Sequence, residues 1–189
     1  TFGQDGSYSA EAIVNRVNAD LANSFGNLAQ RTLSFIAKNC EGVLPSGSKD
    51  DAADEALLAL VDEVVRRDMP AHLDALELSQ GIEGWLKAVF ACNQYIDAQA
   101  PWTLRKTDPE RMTAVLATLY QAIRDLAIAI LPVIPASAGN LLNQMGVPEG
   151  ERTYAALEDT GSYERLVKSG FKLEAPKPIF PRLEMPPID

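Results

Sequence analysis

Asn23, Asn27 and Arg31 step by four through the stretch NRVNADLANSFGNLAQR. On a helix each such step rises about 6 Å and drifts roughly 40° around the axis. Asn27 and Arg31 are therefore neighbours on one face. An amide beside a guanidinium offers several directional donors and one acceptor. A solvated helix face with a rim arginine is the plain reading of this row; a polar recognition face beside a seam is the other. Trp102 is the second group that stands out. It follows Pro101 at the end of a helical pattern and precedes Arg105 and Lys106. Tryptophans are highly buried on average, so a core plug is one expectation. A ring standing out of the surface is the alternative. A base stacked on such a ring gains about 1–3 kcal/mol, and the neighbouring cations would attract the phosphates that flank it.

Other chemistries find little support. His72 is the only histidine, and the two cysteines, Cys40 and Cys92, have no metal-ligand spacing. A zinc site or a histidine-based triad is not expected, and the cysteines read as buried thiols in a reducing compartment. No nucleophile–base pair appears, so the expectation is no catalytic residue and no metal. The net charge of −9 argues against binding a duplex backbone non-specifically. The acids are concentrated, however. Asp50, Asp51, Asp54, Glu55, Asp62, Glu63, Asp68, Asp74 and Glu77 fall in one segment, while Ser79 to Leu131 is balanced. The acidic run reads as a solvated helix face. A local nucleic-acid contact made through bases more than phosphates stays open.

The elements that must position these groups are helical. The composition is that of an ordinary globular domain with enough length for a real core. Ile13, Val14, Val17, Leu21, Leu28, Phe35 and Ile36 make an apolar stripe along a first helix running to about Asn39, capped by Ser7 or Ser9. Gly26 inside it suggests a close crossing or a bend. A second helix starts near Ser48 or Asp50 with Leu57, Leu58, Val61, Val64 and Val65 inward, and Pro70 breaks or kinks it. A third spans about Ser79 to Asp97, with Ile82, Trp85, Leu86, Val89, Phe90 and Tyr95 as its apolar face. It stops at Ala100-Pro101, because a residue before proline is pushed out of the helical region. Asp108-Pro109 starts a fourth helix, ended by Pro132 and Pro135. A fifth runs through Leu141, Leu142 and Met145 to Gly146. A short helix is expected around Tyr154 to Leu157. Beyond it the closely spaced prolines from Pro176 to Pro187 predict an extended segment docked by Ile179, Phe180 and Leu183. The predicted fold is thus all-α: a bundle of about five helices over residues 1–146, with an extended, Pro-rich C-terminal tail, 147–189, packing back on it. The most apolar run, Leu126 to Ile134, contains Pro132 and is too short to span a bilayer. No membrane is implied, and a cytoplasmic location is expected.

Three stretches then carry a family resemblance: NADLANSFGNLAQR, NQYIDAQAPW from Asn93 to Trp102, and KPIFPRLE from Lys177 to Glu184. In this order and spacing they resemble the C-terminal anticodon-binding domain of methionyl-tRNA synthetase. The resemblance implies that Asn27, Arg31 and Trp102 read the CAU anticodon of methionine tRNA. Trp102 would stack on the first anticodon base, and Asn27 and Arg31 would bond to base edges, the usual way of reading a single-stranded loop. Arg105 and Lys106 would support the RNA. Asp20, Asn23, Tyr95 and Asp97 also match and read as mostly structural, fixing the first helix against the third.

The resemblance also implies a parent enzyme that ligates methionine to its tRNA using ATP in a nucleotide-binding catalytic domain. Neither HIGH-like nor KMSKS-like signatures nor a Gly-rich phosphate loop is present here. The chain, which begins without methionine, reads as cut from a longer one just after the KMSKS position. No cofactor is expected in this chain, which should be inactive alone. Its partners would be tRNA and its own catalytic domain, and the parent would work as a monomer. The alternatives are a helical protein-interaction scaffold with an acidic docking face and, more weakly, a small helical enzyme.

Overall fold

The computed structural model describes residues 8–47, 51–159 and 161–185. Ser9 caps α1 (Ala10–Arg16), its Oγ accepting from the Ala12 N–H at 3.1 Å; Ser7 lies outside the described residues. The helix widens to a π-helical stretch over Val17–Gly26 and continues as α2 (Asn27–Asn39). The expected second helix is α3 (Ala52–Glu63), capped by Asp51; Ser48 and Asp50 lie outside the described residues. It passes through a π-helical turn, Val64–Asp68, into α4 (Met69–Asp74). Pro70 neither breaks nor ends this run. Proline removes a donor and crowds the carbonyl one turn back. The wider turn just before it, where the Met69 N–H reaches the Val64 carbonyl, relieves that crowding.

The third helix is α5 (Leu78–Gln99). It is followed by a short α6 (Pro101–Thr107) that periodicity alone did not suggest. The fourth, α7 (Pro109–Ile130), carries the Asp108 cap and Pro109 in its first turn. The fifth is α8 (Pro135–Gln144). A 3₁₀ turn (Glu149–Glu151), α9 (Tyr154–Leu157) and α10 (Ser162–Lys168) precede the extended stretch. Among the described residues there is no strand, only an isolated bridge between Val43 and Lys172. The expected bundle therefore has its five helical runs, with α6 added between the third and fourth and α10 added before the extended part of the tail.

α7 is the axis of the molecule. It is long and apolar enough to cross a bilayer by composition, yet the helices around it bury nearly every residue. α2, α3, α5 and α8 pack on it. Trp85 of α5 is the core tryptophan: it is fully buried, donates Nε1–H to the Leu126 carbonyl at 2.9 Å, and meets Phe25 edge-on at 4.9 Å. The stripes hold with exceptions. Ile13 and Phe90 face outward, and Val14, Val17 and Leu21 are only half covered.

The tail returns as a strap across the first helix. Ile179 is buried, and Phe180 packs 6.5 Å from Phe25. Leu183 docks differently from expectation: its side chain is exposed, and its backbone N–H and C=O both bond to the Asn18 amide at 2.9 Å. Gln30 donates to the Pro176 carbonyl at 3.1 Å, and the Lys177 N–H reaches Gln144 at 2.7 Å. Gly26 serves this crossing. A Cβ there would lie 3.1 Å from both the Phe180 ring and the Leu21 carbonyl.

Asp54 corrects the reading of the acidic run. It is fully buried, not solvated. Arg111 grips it with a two-pronged pair of bonds, both 2.6 Å, and Tyr95 donates its hydroxyl at 2.5 Å. Arg111 also reaches Gln99 at 2.9 Å. Burial alone would raise the Asp54 pKa, but the Arg111 fork and the Tyr95 hydroxyl hold it below the ordinary carboxylate range. Asp62 is half-exposed and paired with Arg66 at 2.8 Å, and Asp51 lies 3.4 Å from Arg111, so Asp54 is the member of the run that leaves the solvated face.

Asp54→Asn should cost about 3 kcal/mol at neutral pH, because Arg111 keeps its charge and loses its close, buried partner, with only Asp51 left at 3.4 Å. The folded pKa is depressed, so this contribution is complete above the unfolded value, about 3.9, and is lost as pH falls through the folded one. Urea unfolding of wild type and variant should show a full gap above about pH 4 that closes below it. A gap that stays constant into stronger acid would contradict the assignment.

Candidate nucleic-acid interface

Trp102 owes its position to a sharp change of direction. Ala100 adopts a left-handed conformation, φ 45° and ψ 63°. It occupies the position that Pro101 excludes from the right-handed helix. The chain then restarts as α6 with Trp102 as its second residue. The conformation is unfavourable for alanine by about 1–2 kcal/mol, and the structure clamps both sides of it. Gln99 before the turn and Arg111 after α6 are bonded to each other. Trp102 consequently stands 44% exposed while Trp85 is sealed in the core.

Arg31 lies over this ring, its Cζ 5.4 Å from the centroid, a cation–π distance. Asp97 of α5 holds the same guanidinium at 2.6 Å. Both side chains reach solvent, so this pair orients Arg31 more than it stabilises the fold. Arg31, Phe35, Lys38, Asn39, Pro101 and Trp102 line a cleft of about 210 Å³. Its rim is basic. Lys38 is exposed, and Arg105 reaches over from α6 to bond Asn39 at 2.6 Å. Asn39 in turn donates to the Phe35 carbonyl at 2.9 Å, which fixes its amide. Lys106 is exposed on α6 but lines neither this cleft nor the one beside it.

Asn27 is exposed on the same helix, one turn before Arg31, yet it does not line the tryptophan cleft. It lines a neighbouring cleft of about 350 Å³ between the first helix and the strap, with Asn23, Gln30, Phe180 and Arg182. The structure thus brings Arg31 and Trp102 together and places Asn27 next door. Of the four motif residues read as structural, Asp97 joins the first helix to α5. Tyr95 instead ties α5 to α3 through Asp54, Asn23 accepts from Arg182 of the strap at 2.7 Å, and Asp20 pairs with Arg16 on its own helix. Lys38, Asn39 and Arg182 were missed as site residues. Lys38 was within reach of pattern reasoning, since it lies seven residues beyond Arg31 on the same face. Arg182 was quoted only as part of a docking motif, and its place beside Asn27 depends on the path of the strap.

Among the described residues no three potential ligands from histidine, cysteine, aspartate and glutamate converge on a metal position. Cys92 is buried, which pushes its thiol up to about 12, and Cys40 is half-buried. Neither has the low thiol pKa of a reactive centre.

A sequence profile of the anticodon binding domain of methionyl tRNA ligase matches residues 44–186. The chain belongs to that family. Methionine–tRNA ligase of Rhizobium meliloti is 43% identical over 189 residues, covering 98% of this chain and 35% of the relative. That of Mycobacterium leprae is 40% identical, covering all of this chain and 34% of the relative. Among solved structures, the apo form of Mycobacterium tuberculosis methionyl-tRNA synthetase superposes with a TM-score of 0.88 at 39% identity, over 97% of this chain and 37% of that one. The chain spans about a third of the length of these relatives. Trp102, Arg105 and the strap fall inside the family profile. Asn27 and Arg31 precede it, in a part that the Mycobacterium leprae relative also covers.

The two tryptophans should respond differently to truncation. Trp85→Ala should cost about 3–5 kcal/mol of unfolding free energy. Trp102→Ala should cost clearly less, about 1–2 kcal/mol, since nearly half of its surface stays in water in the folded chain. Equal losses in urea unfolding would show that Trp102 is a core residue after all.

Proposed function

We propose that this chain reads the CAU anticodon of methionine tRNA for a methionine–tRNA ligase. The observation that carries the reading is the exposed Trp102 ring with the Arg31 guanidinium beside it, on a basic rim in a protein of net charge −9. A protein with that balance gains little from general attraction to phosphates. Its selectivity has to come from stacking and from hydrogen bonds to base edges, which single-stranded loops offer when their bases are splayed. Trp102 provides the stacking surface for the first anticodon base. Arg31, aimed by Asp97, provides donors at its edge, and Asn27 provides both a donor and an acceptor one turn away. Arg105 and Lys38 attract the flanking phosphates. The whole ligase, in the cytoplasm, would join methionine to tRNA with ATP at its catalytic domain, and this portion would select the tRNA.

Titration with a CAU stem-loop and with a loop changed at the first anticodon base tests the reading. Wild type should prefer CAU. Trp102→Ala should lose about 1–3 kcal/mol of binding and most of that preference while keeping its helical circular dichroism. If wild type binds both loops alike, the proposal fails.

A further inference from the structure

The strap cleft has the chemistry of a second nucleotide site. Asn27 lines it beside Asn23 and Gln30, so amide donors and acceptors face one side. Phe180 forms part of the opposite wall, backed by Phe25. Arg182 closes the end, and its guanidinium bonds the Asn23 amide at 2.7 Å. No carboxylate lines this cleft. Among the described residues Arg182 is within salt-bridge distance of none, although acids outnumber bases in the chain by 26 to 17. With no described carboxylate beside it, Arg182 has its charge available for an anion. The strap that carries it is held on both sides, by Gln30 at Pro176 and by Asn18 at Leu183. Arg182 is therefore presented from an anchored segment.

The two clefts share one helix face. Arg31 lines the first and Asn27 the second, four residues and about 6 Å apart along the axis. The strap cleft therefore adjoins the tryptophan cleft along the helix, so a nucleotide next to the one on Trp102 is the nearest candidate for it.

We infer that the strap cleft binds a nucleotide adjoining the one on Trp102, with Asn27 at its base edge and Arg182 on its phosphate. This assignment rests on the anticodon-reading proposal. It makes the C-terminal strap one wall of the RNA site in addition to a structural closure.

Arg182→Gln separates the two roles. Glutamine keeps an amide donor for Asn23 and removes the charge. The chain and this variant are titrated with the CAU stem-loop and the first-base variant loop across a salt series, with urea unfolding as a check on the strap. Arg182→Gln should bind the CAU loop about fivefold more weakly, with a salt slope shallower by about 0.7, the value for one single-strand phosphate contact. Its preference for the correct first base should be unchanged, because Trp102 and Arg31 are untouched. Arg182→Lys should restore the slope. Wild-type affinity and slope in Arg182→Gln, in a protein that still prefers CAU, overturn the strap site and leave the anticodon reading intact. So does a loss of first-base preference in Arg182→Gln, since the strap would then act only by propping the first helix. A wild type that cannot tell the loops apart removes the anticodon reading and the strap site with it.

Discussion

The buried contact between Asp54 and Arg111 is the constraint on which the geometry around Trp102 depends. A carboxylate without water must be paired and hydrogen-bonded, or it would not stay charged. Asp54 meets that demand with the Arg111 fork and the Tyr95 hydroxyl. Its place in the first turn of α3, at the positive end of the helix dipole, adds to the effect. Each partner lies on a different element: Asp54 on α3, Tyr95 on α5, Arg111 on α7. Because Arg111 also holds Gln99, the same cation grips the chain just before α6 and just after it. The excursion that carries Trp102 is closed at its base. A left-handed alanine is tolerable there because the flanking helices cannot separate to relax it.

This arrangement also explains how an acidic domain accommodates a polyanion. Apart from Asp97, which holds Arg31, the negative charge of the central acidic run is partly taken up in pairs. Asp54 is neutralised inside and Asp62 is paired with Arg66, while Arg31, Lys38 and Arg105 gather on one side of the first helix and α6. At physiological salt, charges farther apart than about 8 Å barely feel one another. The charges close enough to set the field at the tryptophan include Arg31 and its partner Asp97.

Most of the architecture was legible from periodicity and punctuation. The stripe from Leu57 to Val65 faces the core as read, and the Asp108-Pro109 start stands where local chemistry puts it. Tertiary context decided the rest. Nothing in a charge run distinguishes Asp54 from Glu55, because the difference is a distant arginine. Pro70 did not end its helix, because a π turn next to it absorbs the clash. α6 is too short for a periodic signal. The row Asn23–Asn27–Arg31 was visible as a face, but its division between two clefts was not, since the far wall of the second cleft comes from residues some 150 positions later. The Leu183 contact was misjudged for a related reason: its backbone makes the bonds, and backbone leaves no trace in side-chain pattern.

The strap also dictates an order of assembly. Asn18 and Leu183 are 165 residues apart, yet their two hydrogen bonds pin the wall of the cleft beside Asn27. Closing so long a loop carries an entropy cost that grows only slowly with length, so the contact is cheap once the bundle has brought both sides together and very unfavourable before. During synthesis the first helix and α7 emerge before the strap and can already pack. The Asn27 face stays open on one side until Phe180 and Arg182 have left the ribosome. A nascent chain therefore displays the tryptophan cleft before it displays the adjoining one, and the second becomes complete only as the last described residues fold down.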